Sequence, residues 1–228
     1  MISSFFVSYD AEGGAYALTK GGFITLAMIL VLLLIAAAFL FNKQHSVKLG
    51  TKQLVFSAVA IALGFATSYL KIYSMPWGGS VTLCSMLFVC LVGYFYGPKL
   101  GLIAALSYGI LQLFQDGGSY MLDPFQVCCD YFFSFMALGL SGFFSNKKNG
   151  LLIGYIVGIL GRGVFLSIGG YIYWMSYMPE SFPKILSGIY PIVYNYSYIL
   201  IEGIITVAII SIPAVKVALK RIKETAIA

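Results

Sequence analysis

Residues 151–174, LLIGYIVGILGRGVFLSIGGYIYW, decide the fold. The stretch holds one charged side chain, Arg162, and is long enough to cross a bilayer, which takes about 20 mostly apolar residues. Working outward from it, similar runs stand near 22–42, 53–72, 80–97, 100–115, 125–145 and 188–212. The chain is 60% hydrophobic and 10% charged, where a soluble domain carries about 25% charged residues. A water-soluble core of this size cannot bury so much apolar surface. The expectation is an all-α integral membrane protein, with no room among the spans for a separate soluble domain or a nucleotide-binding cassette.

The net charge of +6 is distributed by side of the membrane. With the C-terminus taken as cytoplasmic, the inner segments collect Lys43, Lys48, Lys52, Lys99, Lys147, Lys148, Lys216, Lys220, Arg221 and Lys223. The outer ones hold Lys20, Lys71 and Lys184 beside Asp10, Glu12, Asp116, Asp123 and Glu180. This is the bias that orients membrane proteins. It places a multi-pass protein in a bacterial cytoplasmic membrane, N-terminus outside and C-terminus inside, and gives the basic charge a partner in the lipid bilayer rather than in nucleic acid. Run 22–42 exceeds a signal-peptide core, follows an acidic segment and lacks an Ala-x-Ala-like exit, so a retained helix is expected.

Three segments follow. Residues 1–52 comprise an extracellular stretch, the extra helix and a basic linker with the only histidine, His45; 53–215 form a six-helix core; 216–228 form a basic cytoplasmic tail. Within run 53–72, Ala58, Ala62 and Ala66 recur every four residues, a flat stripe that admits another helix. That helix can belong to this bundle or to a partner subunit.

Asp130, Arg162 and Glu202 fall inside apolar runs, where charge is costly and usually faces a cavity or another charge. One arrangement pairs Arg162 with Glu202 and leaves Asp130 to face a cation; another joins all three in an internal network. Aromatic residues, 16% of the chain, crowd the outer half, among them Trp77, Tyr120, Tyr131, Tyr171, Tyr173, Trp174, Tyr177, Tyr190, Tyr194, Tyr196 and Tyr198. An interfacial belt accounts for many. A buried acid among ring faces also suits a flat organic cation, through ion pairing and cation–π contact. Asn195 adds an amide that serves either a ligand or a neighbouring helix.

Two other chemistries find little support. Gly139-Leu140-Ser141-Gly142 matches the string around intramembrane serine nucleophiles, but His45 lies in the linker and supplies no base. Cys84, Cys90, Cys128 and Cys129 have no paired ligand spacing and read as small buried side chains, so no metal is expected.

From about Lys52 to Ile212 the chain resembles the thiamine-specific S component of energy-coupling factor (ECF) vitamin transporters. The resemblance is carried by MPWGGSVTL (75–83), YGPKLGL (96–102), DPFQVCCDY (123–131), LGLSG (138–142), Gly161-Arg162, GGYIYW (169–174), YMPE (177–180) and YPIVYN (190–195). It implies a six-helix bundle that captures thiamine from outside. Its partners would be a transmembrane T subunit and two ATPases that use the ATP; no cofactor is bound by this chain and no reaction is catalysed. It also implies that Asp130 faces the thiazolium, with Tyr131 after it, that Trp174 stacks with Gly170 four residues earlier, and that Tyr190 and Asn195 meet the aminopyrimidine. Trp77 is an approximate match to an aromatic of the first outer loop, which would close over the pocket. Ala58, Ala62 and Ala66 would dock on the T subunit. The chain departs from the family in having Asp130 for the usual glutamate, Leu166 where a histidine often stacks, and the extra helix 22–42.

Overall fold

A computed structural model describes residues 50–76, 78–117 and 121–227, with isolated positions and two short strands before residue 33. Most of the expected helix 22–42, linker residue His45, Trp77 and Tyr120 lie outside the described residues. The strands β1 (Val7–Asp10) and β2 (Ala15–Leu18) pair antiparallel.

Helix α1 (Thr51–Ser68) leads into a hairpin of β3 (Lys71–Ser74) and β4 (Ser80–Thr82). Runs 53–72 and 80–97 were expected to be helical throughout, and the hairpin takes the end of the first and the start of the second. The cause is local. Gly78 and Gly79 adopt φ of +87° and +83°, conformations open to glycine, and the Met75 N–H closes the turn on the Gly79 carbonyl at 2.9 Å. The flanking Ile72, Tyr73, Val81 and Thr82 favour extended backbone.

Then come α2 (Ser85–Tyr96), α3 (Pro98–Gln115), α4 (Pro124–Phe144), α5 (Gly150–Tyr177), α6 (Tyr190–Ser211) and α7 (Pro213–Ile227). Four helical stretches among the described residues are long and apolar enough to cross a membrane: α1, α4, α5 and α6 with its 3-10 lead-in from Lys184. The tail expected after Pro213 is a helix, with proline at its first position, where the missing N–H costs nothing. Lys223 fastens it, donating to the Ser145 carbonyl at 2.7 Å and lying 3.8 Å over the Tyr94 ring.

Apolar side chains point outward around the bundle, Leu54, Val164, Ile172 and Ile204 among them, as they do where lipid is the solvent. Inside, glycines permit backbone contact between helices. A Cβ on Gly139 would sit 2.5 Å from the Leu102 nitrogen, and one on Gly142 would sit 2.3 Å from the Pro98 nitrogen. The 3-10 stretch Ala137–Phe144 carries both glycines against α3. Ser141 is fully buried here and donates to the Cys90 carbonyl at 2.8 Å, which commits its hydroxyl to packing. All four cysteines are buried and free.

The alanine stripe does not pack inside this bundle. Ala58, Ala62 and Ala66 are exposed beside Leu54, Val55, Val59 and Leu63. The inward residues of α1 are Ser57, Gly64 and Ser68, and the Gly64 carbonyl accepts from the Tyr108 hydroxyl at 3.3 Å.

Candidate functional site

A cavity of about 290 Å³ opens beneath the hairpin, near the lower end of the range for small-molecule sites. Its walls come from α3, α4, α5 and α6. Asp130, Tyr131, Gly170, Trp174, Tyr190 and Asn195 all line it, together with Leu166, Arg162 and Glu202.

Two irregular turns shape the walls. Residues Cys128–Phe133 of α4 and Gly170–Trp174 of α5 are π-helical, with one extra residue per turn. Such turns are rare and gather at functional sites. Here one presents Asp130 and Tyr131 and the other Gly170 and Trp174. The two helices meet closely at this level: a Cβ on Gly169 would lie 2.7 Å from Asp130 Oδ1, and one on Gly170 would lie 2.7 Å from the Cβ of Pro191 on α6.

Asp130 accepts a hydrogen bond from Gln126 Nε2 and a second from Trp174. Gln126 is fixed in turn, since its Oε1 accepts from the Leu122 N–H at 3.0 Å. Gln126 did not stand out in the sequence, although a Gln four residues before an Asp is a pair that meets on one helix face. Tyr131 donates to Asp116 Oδ2 at 2.8 Å, and Tyr173 donates to Asp123 Oδ1 at 2.8 Å. Asp130 is thus oriented by neutral donors, and the nearby tyrosines serve Asp116 and Asp123.

Aromatic rings cover the cavity. Trp174 and Tyr177 have ring centroids 5.2 Å apart, and Tyr190, Tyr194 and Tyr198 step along α6 at 5.8 and 6.3 Å. The hairpin rests on this ladder, with the Tyr194 hydroxyl donating to the Gly78 carbonyl at 3.1 Å. Asn195 bridges helices. Its Nδ2 donates to Leu166 O at 3.2 Å and Pro191 O at 2.9 Å, and its Oδ1 accepts from Tyr198 at 3.0 Å. One lone pair of Oδ1 remains for a ligand donor.

The expected Arg162–Glu202 pair does not form. Glu202, 2% exposed, instead accepts from Thr82 N–H at 2.8 Å, Thr82 Oγ1 at 2.7 Å, Ser85 Oγ at 3.3 Å and Met86 N–H at 3.3 Å. It acts as the N-terminal cap of α2, because Cys84 at that cap offers no side-chain bond. The carboxylate is therefore spent on backbone donors. Arg162 lies 4.0 Å over the Phe135 ring, and no carboxylate of a described residue comes within 4.0 Å of it.

Comparison with known proteins agrees with this architecture. A solved structure of ThiT from Listeria monocytogenes has a similar fold, with a TM-score of 0.54 at 20% identity, over 71% of this chain and 94% of that one. The chain is 30% identical over 164 residues to the thiamine transporter ThiT of Bacillus subtilis strain 168, covering 66% of this chain and 82% of that protein. Residues 54–222, which hold every described residue of the cavity, match the family model described as thiamine transporter protein (Thia_YuaJ). The membrane bundle, its hairpin-covered cavity and this match together make the chain a member of the Thia_YuaJ thiamine transporter protein family.

Proposed function

We propose that this chain is the thiamine-binding S component of an ATP-driven ECF vitamin importer. The observation that carries the reading is the cavity itself, where the oriented carboxylate of Asp130 stands beside the Trp174 ring. A carboxylate and a ring face are the complement of a flat organic cation such as the thiazolium. Family membership supports thiamine as that cation.

In this reading thiamine enters from outside, and Asp130 neutralises its charge while Trp174 stacks on the ring. Tyr131 and Gly170 shape the wall, and Tyr190 with the free lone pair of Asn195 Oδ1 meets the aminopyrimidine amine. The hairpin of β3 and β4 closes the cavity. The N-terminus lies outside and the C-terminus in the cytoplasm. The exposed Ala58, Ala62 and Ala66 dock on the T subunit, and two ATPases drive the cycle. The chain performs no chemistry of its own and binds no cofactor.

The test is calorimetric titration of the detergent-purified protein with thiamine, beside Asp130→Asn. Stoichiometric binding weakened about thirtyfold or more by the substitution is expected, since removing one partner of a buried charge pair costs about 2–5 kcal/mol. Absence of binding to the wild type overturns the substrate. Binding unchanged in Asp130→Asn overturns the site assignment. The pyrimidine and thiazole halves serve as competitors; either half outcompeting thiamine points to a precursor importer, for which Leu166 in place of the family histidine is the structural reason.

A further inference from the structure

We infer that Arg162 is a ligand-binding residue, its guanidinium donating hydrogen bonds to an uncharged acceptor on the molecule that occupies the cavity. The inference rests on the thiamine reading above and adds a contact to it. Arg162 lies on the same helix face as Gly169, which backs onto Asp130 Oδ1, and seven residues earlier. Seven residues are two turns, or about 10 Å along the axis. The backbone that carries the guanidinium therefore lies about two turns along α5 from the point where α5 meets Asp130.

Its surroundings leave it unspent. The Phe135 ring covers one face of the guanidinium at 4.0 Å. Nε is buried without a hydrogen-bond partner, and the side chain lines the cavity. Among the described residues, all three carboxylates lining the cavity are occupied, Asp116 by Tyr131, Asp130 by Gln126 and Trp174, and Glu202 by four donors. An arginine inside a membrane bundle ordinarily has a partner, because its fork of donors is costly to leave unmade. Arginine only donates, so what completes it is an acceptor.

Charge decides which kind. The charged side chains of described residues lining the cavity, Asp116, Asp130, Glu202, Lys71 and Arg162, sum to one negative charge, which a monocation cancels. An added anionic group would restore the imbalance in a low-dielectric site, so the acceptor is a neutral atom. Thiamine offers such atoms at two places, the ring nitrogens of its aminopyrimidine and the oxygen of its hydroxyethyl arm.

The experiment titrates wild type, Arg162→Met and Arg162→Lys with thiamine, with the free aminopyrimidine and with the free hydroxyethylthiazolium, and records the melting temperature of each unliganded protein. Arg162→Met is expected to lose about tenfold or more in thiamine affinity, the loss recurring on whichever fragment carries the acceptor. The sign is diagnostic. A guanidinium present only as a charge repels a cationic ligand, so its removal would tighten binding. Thiamine binding retained or tightened in Arg162→Met overturns the inference and leaves the thiamine reading standing, as does an equal loss on both fragments. Failure of the wild type to bind thiamine overturns both. Arg162→Lys keeps the cation and the stem over Phe135 but not the fork, and should lose threefold or more, which carries the test even if the methionine variant does not fold.

Discussion

Replacing Glu202 by alanine should destabilise the protein, and the structure sets the size of the effect. The side chain receives two hydroxyl and two backbone donors. In its absence the hydroxyls of Thr82 and Ser85, already 2.6 Å apart, can satisfy each other. The N–H groups of Thr82 and Met86 cannot, because both residues are buried and Cys84, held at φ 59°, brings no capping side chain. An unsatisfied buried donor costs about 1–3 kcal/mol, so two cost about 2–6 kcal/mol. Glu202→Gln keeps one carbonyl oxygen for the two short bonds from Thr82 and turns its amide toward Met86, which loses about half of that. Thermal unfolding in detergent reads the difference. At about 2–4 °C per kcal/mol for a chain of this size, alanine should melt about 4 °C or more below wild type, with glutamine between. Alanine melting within about 2 °C of wild type, or above glutamine, would show that the carboxylate is not the cap of α2.

Two further outcomes follow from other contacts. Gly79→Val places a Cβ 2.7 Å from the Tyr198 ring at a φ of +83°, so the hairpin should lift from the tyrosine ladder, and stopped-flow dissociation of thiamine should quicken severalfold while the strained backbone lowers the melting temperature. Ala62→Leu enlarges an exposed position remote from the cavity. Thiamine affinity should stay within twofold of wild type, while co-purification with the proposed T and ATPase partners is lost; retained co-purification would remove the stripe from the proposed docking surface.

The fold class was legible because lipid as solvent imposes one rule: long apolar helices recur, and little else can. The short hairpin was not, because Ile72, Tyr73, Val81 and Thr82 are as apolar as a helix end, and only the paired glycines at 78 and 79 reveal the turn. The cavity residues were legible as residue types. Asp130 among aromatic residues is unusual in any membrane span, and the structure does bring it to one cavity with Trp174, Tyr190 and Asn195. What brings them there was invisible. A π-helical turn shifts register by one residue without any fixed sequence mark, and two such turns set how Asp130 and Trp174 approach.

The mispairing of Arg162 with Glu202 has a more general cause. Opposite charges in a sequence invite a salt bridge, yet a carboxylate has a second class of partner that no charge count contains, the orphan N–H groups at a helix start. Helix α2 begins at a left-handed cysteine that cannot cap it, so those donors were open, and Glu202 reaches them from the last core helix. The bond is also more economical for folding: it satisfies backbone groups that would otherwise be stranded in the interior, whereas a bridge to Arg162 would leave them bare. The consequence passes to the arginine. Once Glu202 holds the hairpin and α2 to α6, the cavity keeps a guanidinium with no carboxylate of a described residue within 4.0 Å, and an acid whose hydrogen bonds come from the neutral donors Gln126 and Trp174. If Arg162 meets the ligand as inferred above, a site with an oriented acid on α4 and a guanidinium on α5 selects a ligand with a cationic end and an acceptor end over a simple cation of the same size, a stronger filter than Asp130 and the ring faces provide alone.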